Sequence, residues 1–261
     1  MKKTITLLAL IVSFSAVSQG VSTKRLIDIP TAFSMKQAEI EMSGRLYAQN
    51  GMSGEVNIGV FDDFHIGVSY GGSDIIGRNQ ANPNGQPGVR LHYRIMSETF
   101  HYPNLAIGFD SQGYGPWYDN GKRYDIKSRG LYLVISKNYF VSGGTLGTLG
   151  LHIGVNYNVT EKEGVPDNDD IVNIYAGFDK SLIRNVNLLV EYDFAFNDNH
   201  YDSDTFKTSN KGYLNLGLRW TFSNDLHLEV NFKDILNNKK EEVNANRELR
   251  IIYNTAFFEK K

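Results

Sequence analysis

The sequence predicts an all-β fold, an antiparallel up-and-down transmembrane β-barrel of about twelve strands. Three observations predict it. About twelve segments alternate apolar and polar side chains with a period of two. The connections between them alternate between tight and long. Beyond residue 18 no run reaches the roughly 20 apolar residues of a membrane helix, and the mean hydropathy of −0.34 is what alternating strands produce.

The elements follow in chain order. Residues 1–18 read as a signal peptide: Lys2 and Lys3 lead an apolar stretch, and Ala16 and Ser18 are the small residues before a cut at Gln19. The residue after the cut is not Cys, so no lipid anchor is expected. Residues 19–36 form an N-terminal segment at or inside the periplasmic mouth. Residues 37–258 form the barrel, without a domain boundary. In the first strand, 38–47, Ile40, Met42 and Leu46 oppose Glu39, Glu41 and Arg45. In 55–61, Val56, Ile58 and Val60 oppose Glu55 and Asn57; in 64–70, Ile66 and Val68 oppose His65 and Ser69. In 89–95, Leu91 and Tyr93 oppose Arg90, His92 and Arg94. Strands at 105–110, 129–136 and 149–157 follow, then 172–179, 186–194, 214–222, 226–233 and 248–257. No segment reads better as an amphipathic helix.

Alternation alone also suits a soluble sandwich, whose apolar faces meet in a core. Three features favour a lipid-facing barrel. Apolar rows begin or end in aromatics, namely Tyr47, Tyr70, Phe109, Tyr157, Tyr192, Phe194, Trp220 and Phe222, as interfacial girdles do. Polar rows mix Gly with Arg, Glu and His at mid-strand. Tight turns at 62–63, 180–184 and 223–225 alternate with long connections at 71–88, 111–127, 158–170, 195–211 and 234–246; the exception is the first outer connection, 49–53, which is short. Short periplasmic turns and longer outer loops are the outer-membrane pattern. The cell outer membrane is therefore the expected location.

Composition excludes several functions. There are 29 acidic and 27 basic residues, so no basic surface is available for nucleic acid. The absence of Cys removes disulfides, thiolate catalysis and Cys-ligated metals.

Several motifs carry a resemblance. The stretch Leu26-Ile27-Asp28-Ile29-Pro30-Thr31-Ala32 resembles the opening motif of the YjbH-like outer-membrane proteins linked to exopolysaccharide biosynthesis. Residues 66–72 with Ile76-Gly77, residues 108–115, Gly130-Leu131-Tyr132 and Lys137-Asn138-Tyr139 are similar to the same group. The resemblance implies an outer-membrane barrel supporting surface-polysaccharide export. This chain departs in size, as a single-barrel member of a group whose better-known proteins are much longer. Tyr253, Phe257 and Phe258 resemble the C-terminal signal read by the barrel-assembly machinery, with Glu259-Lys260-Lys261 added.

Candidate chemistry is sparse. Gly67-Val68-Ser69-Tyr70-Gly71 matches G-x-S-x-G, but within a strand rather than at a strand-to-helix elbow. His65 shares Ser69's face at roughly 13 Å, too far to act as its base, so an outer-membrane lipase is the third and least favoured reading and no enzyme is expected. Asp167-Asn168-Asp169-Asp170 and Asp198, Asp202 and Asp204 lack calcium-loop spacing, so no metal or cofactor is expected. The informative feature is the inward row of charges. Glu39, Glu41, Arg45, Glu55, Arg90, Arg94, Asp110, Glu191, Arg219, Glu229 and Arg250 line the lumen, with Asp179, Asp193, Lys233 and Glu248 beside them. Two readings follow. The charges line a narrow conduit for a small hydrophilic solute or polysaccharide, or they pair to close the lumen of a structural barrel displaying loops such as 113–122 with Trp117. The inward glycines leave room either for solute or for the N-terminal segment as a plug.

Overall fold

The computed structural model describes residues 23–78, 80–119, 121–141, 146–161, 170–198, 208–239 and 246–257. Residues 1–22, which include the stretch read as a signal peptide, and residues 258–261 lie outside them. Fifteen strands are β1 (Glu39–Tyr47), β2 (Gly51–Phe61), β3 (Phe64–Ser73), β4 (Asn82–Pro83), β5 (Gly88–Met96), β6 (Asn104–Asp110), β7 (Tyr114–Tyr118), β8 (Arg123–Ile126), β9 (Gly130–Phe140), β10 (Thr148–Tyr157), β11 (Asn173–Ile183), β12 (Val186–Asp193), β13 (Tyr213–Thr221), β14 (Leu226–Lys233) and β15 (Asn246–Ala256).

Twelve of these form the barrel. Each of them pairs antiparallel with its neighbour, and β1 pairs with both β2 and β15, so the sheet closes without a free edge. Closure satisfies backbone groups that lipid cannot. The barrel strands run from 7 to 11 residues, close to the 9–11 that a tilted strand needs to cross a bilayer. The remaining strands are loop elements: β4 extends the end of β3, and β7 and β8 form a hairpin between β6 and β9.

The alternation resolves into two faces. Val56, Ile66, Val68, Leu91, Ile107, Leu133, Ile153, Leu218, Val230 and Ile251 are exposed on the outside. In water, apolar surface of that extent would drive aggregation; facing lipid, it anchors the barrel. Phe61 stacks on Phe64 and Trp220 on Phe222 at the short-turn rim, as girdle aromatics do. Tyr47 departs from the expected girdle. It shares the inward row with Glu41 and Arg45, and its hydroxyl donates to Gly72 O at 2.8 Å. It follows Arg45 by two residues, so the alternation along β1 itself turns it inward, and an aromatic at a strand end is not by itself a girdle residue.

The interior is filled. Leu26, Ile27, Ile29 and Ala32 of the N-terminal segment are fully buried, and they form one cluster with Ala106, Tyr132, Val134, Tyr175 and Leu189 from the barrel wall. From the long-loop end the β7–β8 hairpin folds inward, with Tyr114, Trp117, Tyr124 and Arg123 buried. Trp117 was expected on a displayed loop; it packs instead edge-on against Tyr124, 4.9 Å between ring centroids.

Candidate functional site: the closed lumen

The N-terminal segment enters the lumen as a tight hairpin. Leu26 N donates to Ile29 O at 3.1 Å and Thr31 N to Lys24 O at 3.2 Å, and Arg25 bridges Pro30, so Ile27 and Asp28 form the tip. Pro30 has no N–H to leave unpaired. At the tip three successive N–H groups, of Ile27, Asp28 and Ile29, converge on the Glu191 carboxylate at 2.9–3.0 Å. Asn215 adds a fourth donor at 2.7 Å. Hydrogen bonds to a charged acceptor are worth about 1.5–3 kcal/mol each. The apolar side chains fit because Gly177 and Gly217 lie opposite. A Cβ on Gly177 would stand 2.5 Å from Leu26 Cδ1, and one on Gly217 would stand 3.2 Å from Ile27 Cδ1. Full burial of each large aliphatic side chain adds about 1.5–3 kcal/mol. Together these contacts seat the hairpin in the lumen.

The inward charges divide between wall pairs and hairpin pairs. Arg219 Nε meets Glu229 at 2.6 Å, and Arg250 lies 3.7 Å from the same carboxylate. Arg90 meets Glu55 and, at 2.8 Å, Asp110. Arg129 pairs with Asp193. Arg94 sits at the short-turn rim and meets Asp63. The other inward charges take the hairpin as partner. Lys24 reaches Glu39 and Glu41, and Arg25 reaches Asp110 at 2.6 Å and Glu55 at 3.5 Å. Asp28 is held by Arg45 at 2.9 Å and Lys233 at 2.7 Å, while Glu248 stands 3.4 and 3.6 Å from the same two cations. Arg219 also donates to Arg25 O at 2.9 Å. Removing one member of a buried pair costs about 3–5 kcal/mol, because the other charge is left uncompensated.

Above the tip, towards the long-loop end, a cleft opens. Arg45, Tyr47, Ser43, Gln112, Tyr114 and Lys233 line it, with Glu55 and Glu248. Tyr114 descends from the loop hairpin. Its ring lies under Lys233 Nζ at 4.3 Å and Arg45 Cζ at 5.1 Å, and its hydroxyl donates to Asp28 O at 3.0 Å. The long loops lock together above it. Arg123 meets Asp198 at 2.5 Å, Tyr213 donates to Asp198 at 3.0 Å, and Glu161 accepts from Tyr124 N and Ser128 N.

The motif residues take no catalytic arrangement. Ser69 Oγ donates to Gln112 Oε1 at 2.8 Å. His65 stacks on His92, 4.6 Å between centroids, and His92 meets Tyr132 OH at 2.9 Å. A linked set that sequence reasoning missed joins Asp179, His152 and Ser136. His152 Nε2 lies 2.9 Å from Asp179 and Nδ1 lies 2.8 Å from Ser136 Oγ, which accepts Ala32 N at 2.8 Å. The Ser136 hydroxyl is thus capped by the hairpin. Asp198 of the acidic clusters is an ion-pair partner; Asp167, Asp202 and Asp204 lie outside the described residues. Among the described residues no group of three or more His, Asp or Glu is placed to hold a metal. Sequence reasoning also missed Arg25 and Asp28 as lumen charges. The available signal was apolar residues interrupting polar rows, at Ala106, Val134 and Leu189.

A closed sheet with an even number of strands, an apolar exterior and a charged interior has one solvent arrangement that satisfies every face, a bilayer around it. The chain is an outer-membrane β-barrel. No family model and no curated protein matches it. Among solved structures it is similar to the KdgM porin, with 9% identity and a TM-score of 0.44 over 84% of this chain and 99% of that one. It is similar to the NanC porin, with 8% identity and a TM-score of 0.44 over 84% of this chain and 100% of that one. It is also similar to the Acinetobacter baumannii outer membrane protein Omp33, with 8% identity and a TM-score of 0.46 over 85% and 98%. These likenesses are distant, and the functional reading rests on the chain's own residues.

Proposed function

We propose that the protein is a narrow channel for small hydrophilic solutes, shut in this conformation by its own N-terminal hairpin. The observation that carries this is the tip of the hairpin. Glu191 grips three backbone N–H groups and Asp28 bridges two wall cations, and every one of these contacts is non-covalent and reversible. Behind them stands a wall whose inward rows are charged and polar. A purely structural barrel would be expected to close with wall-to-wall pairs; here Glu39, Glu41, Arg45, Lys233 and Glu191 are spent on a removable segment. The stretch that resembles YjbH-like proteins, residues 26–32, is the hairpin tip itself. Membership of that group, assembly by the barrel-assembly machinery, and a saccharide of surface-polysaccharide traffic as solute rest on the sequence resemblance alone.

Deleting residues 23–34 and recording planar-bilayer currents tests the reading. The intact chain is expected to be silent or rarely open, and the truncated chain to conduct. Heat-modifiable migration on gels establishes that the truncated barrel is folded. Silence of a folded truncated barrel overturns the channel and leaves a non-conducting structural barrel.

A further inference from the structure

We propose that the cleft above the hairpin binds a small hydroxylated solute carrying one carboxylate, and that the solute unlatches the hairpin by taking Arg45 and Lys233 from Asp28. The inference rests on the hairpin being a gate.

The geometry begins with Asp28. Each of its carboxylate oxygens has its own cation, Oδ1 with Arg45 Nη1 at 2.9 Å and Oδ2 with Lys233 Nζ at 2.7 Å. That is a carboxylate site, and the chain's own side chain is its resident. The two cations line the cleft, whereas Asp28 lies behind them at 2% exposure. A carboxylate entering from the long-loop end therefore meets Arg45 and Lys233 before it meets Asp28. Glu248 shares both cations at longer range, 3.4 and 3.6 Å.

Charge balance selects the ligand. Arg45 and Lys233 are matched by Asp28 and Glu248. At this pair of cations, loss of Asp28 leaves Arg45 and Lys233 to share one carboxylate, which is costly; Lys24 and Arg25 leave with the hairpin, so Glu39, Glu41, Glu55 and Asp110 lose a partner as well. An incoming monocarboxylate restores the balance at Arg45 and Lys233 and lowers that local cost, so binding and unlatching are coupled. An uncharged solute does not restore it.

An independent observation points to the same cleft. Ser43, 8% exposed and lining it, has a hydroxyl with no hydrogen-bond partner among the described residues. Unpaired buried hydroxyls are uncommon, and this one belongs to a residue of the cleft lining. Gln112 and Ser69, also in the lining, offer further amide and hydroxyl groups for a polyol body. Tyr114 links the ligand site to the gate, since its ring supports both cations and its hydroxyl holds the Asp28 carbonyl.

The test uses the full mature chain, with D-gluconate as probe and sorbitol as its uncharged counterpart. Calorimetry is expected to show saturable heat for gluconate and none for sorbitol. In planar bilayers gluconate is expected to raise open probability severalfold at constant ionic strength. Lys233→Gln should abolish the heat, and Ser43→Ala, which removes no charge, should weaken affinity severalfold; heat-modifiability reports whether each variant folds. Absence of saturable heat, equal heat from sorbitol, or full gluconate binding by both folded variants overturns the proposal. If the chain lacking residues 23–34 conducts while gluconate neither binds nor opens the intact chain, this proposal alone falls. If the truncated chain is silent, the gate falls and unlatching with it.

Discussion

Glu191 illustrates how a single inward carboxylate differs from its neighbours. The alternation places it in a charged row, where an arginine is the expected partner. The structure gives it no arginine but three consecutive backbone N–H groups and the Asn215 amide. Glu191→Gln replaces one accepting oxygen with a donor that faces those N–H groups. It should loosen the hairpin by about 1.5–3 kcal/mol for each lost bond. The measurement is trypsin cleavage at Lys24 and Arg25 in folded barrels, with the parent resistant and the variant cut. Equal resistance would remove Glu191 from the grip. On the opposite face, Leu218 is 45% exposed to lipid, and Leu218→Arg should cost about 2–4 kcal/mol in denaturant unfolding from liposomes. Asn215, one row inward, is not a neutral comparison. Its amide donates to Glu191 and its oxygen accepts Asp234 N at 2.8 Å, so Asn215→Arg should also destabilise, by loosening the hairpin. Arg90→Glu would set a third carboxylate against Glu55 and Asp110, so it should weaken the wall before it alters selectivity.

The hairpin and the loop cap meet through the Tyr114 hydroxyl on Asp28 O, but their ion pairs are distinct and different conditions release them. Asp28→Asn leaves Arg45 and Lys233 with Glu248 alone and should raise channel open probability without any solute. No change in current would detach this ion pair from gating. The cap responds to acid. Burial alone would push the Asp198 carboxyl up, but Arg123, Lys239 and Lys127 hold it below its ordinary 3.8. A carboxylate depressed by folding stabilises above its unfolded value, and that stability is lost as pH falls through the folded value. Burial holds Glu161 above its ordinary 4.5, and Asp234 is raised likewise, so these two stabilise the cap as pH falls towards the ordinary carboxylate range. The cap should therefore tighten on mild acidification and loosen below 3.8. Trp117 fluorescence reads this, because the ring packs against Tyr124 within the cap. Asp198→Asn should remove the low-pH loosening and Glu161→Gln the tightening on mild acidification.

As a whole the molecule should behave as an integral outer-membrane protein, insoluble in sarkosyl and heat-modifiable on gels. Recovery of the mature chain as a soluble monomer without detergent would contradict the exposed apolar belt. Orientation follows from loop length. An epitope inserted after Gln86, in an exposed part of the connection between β3 and β5, should be labelled on intact cells. One inserted between Arg184 and Asn185, in the tight turn joining β11 and β12, should be labelled only after permeabilisation. The opposite pattern would invert the barrel.

The strands were legible in the sequence because pleating is local. Residues two apart share a face whatever the rest of the chain does, so Glu229 against Val230 or Arg90 against Leu91 needs no tertiary knowledge. Loop lengths are local as well, and apart from the short β1–β2 connection they separate the two rims. Tyr47 shows the limit of a composition rule rather than of local reading: it follows Arg45 by two residues, so the alternation already turns it inward, and only its aromatic ring at a strand end suggested a girdle. The plug lies beyond local reading altogether. Residues 26–32 are too short for a period to emerge, and their seat comes from Ala106, Tyr132, Val134, Tyr175 and Leu189, which are far apart along the chain. Each of those looks like a stray apolar residue in a polar row. Only closure of the sheet turns them towards one point, and burying the hairpin there removes apolar surface from water on both sides at once.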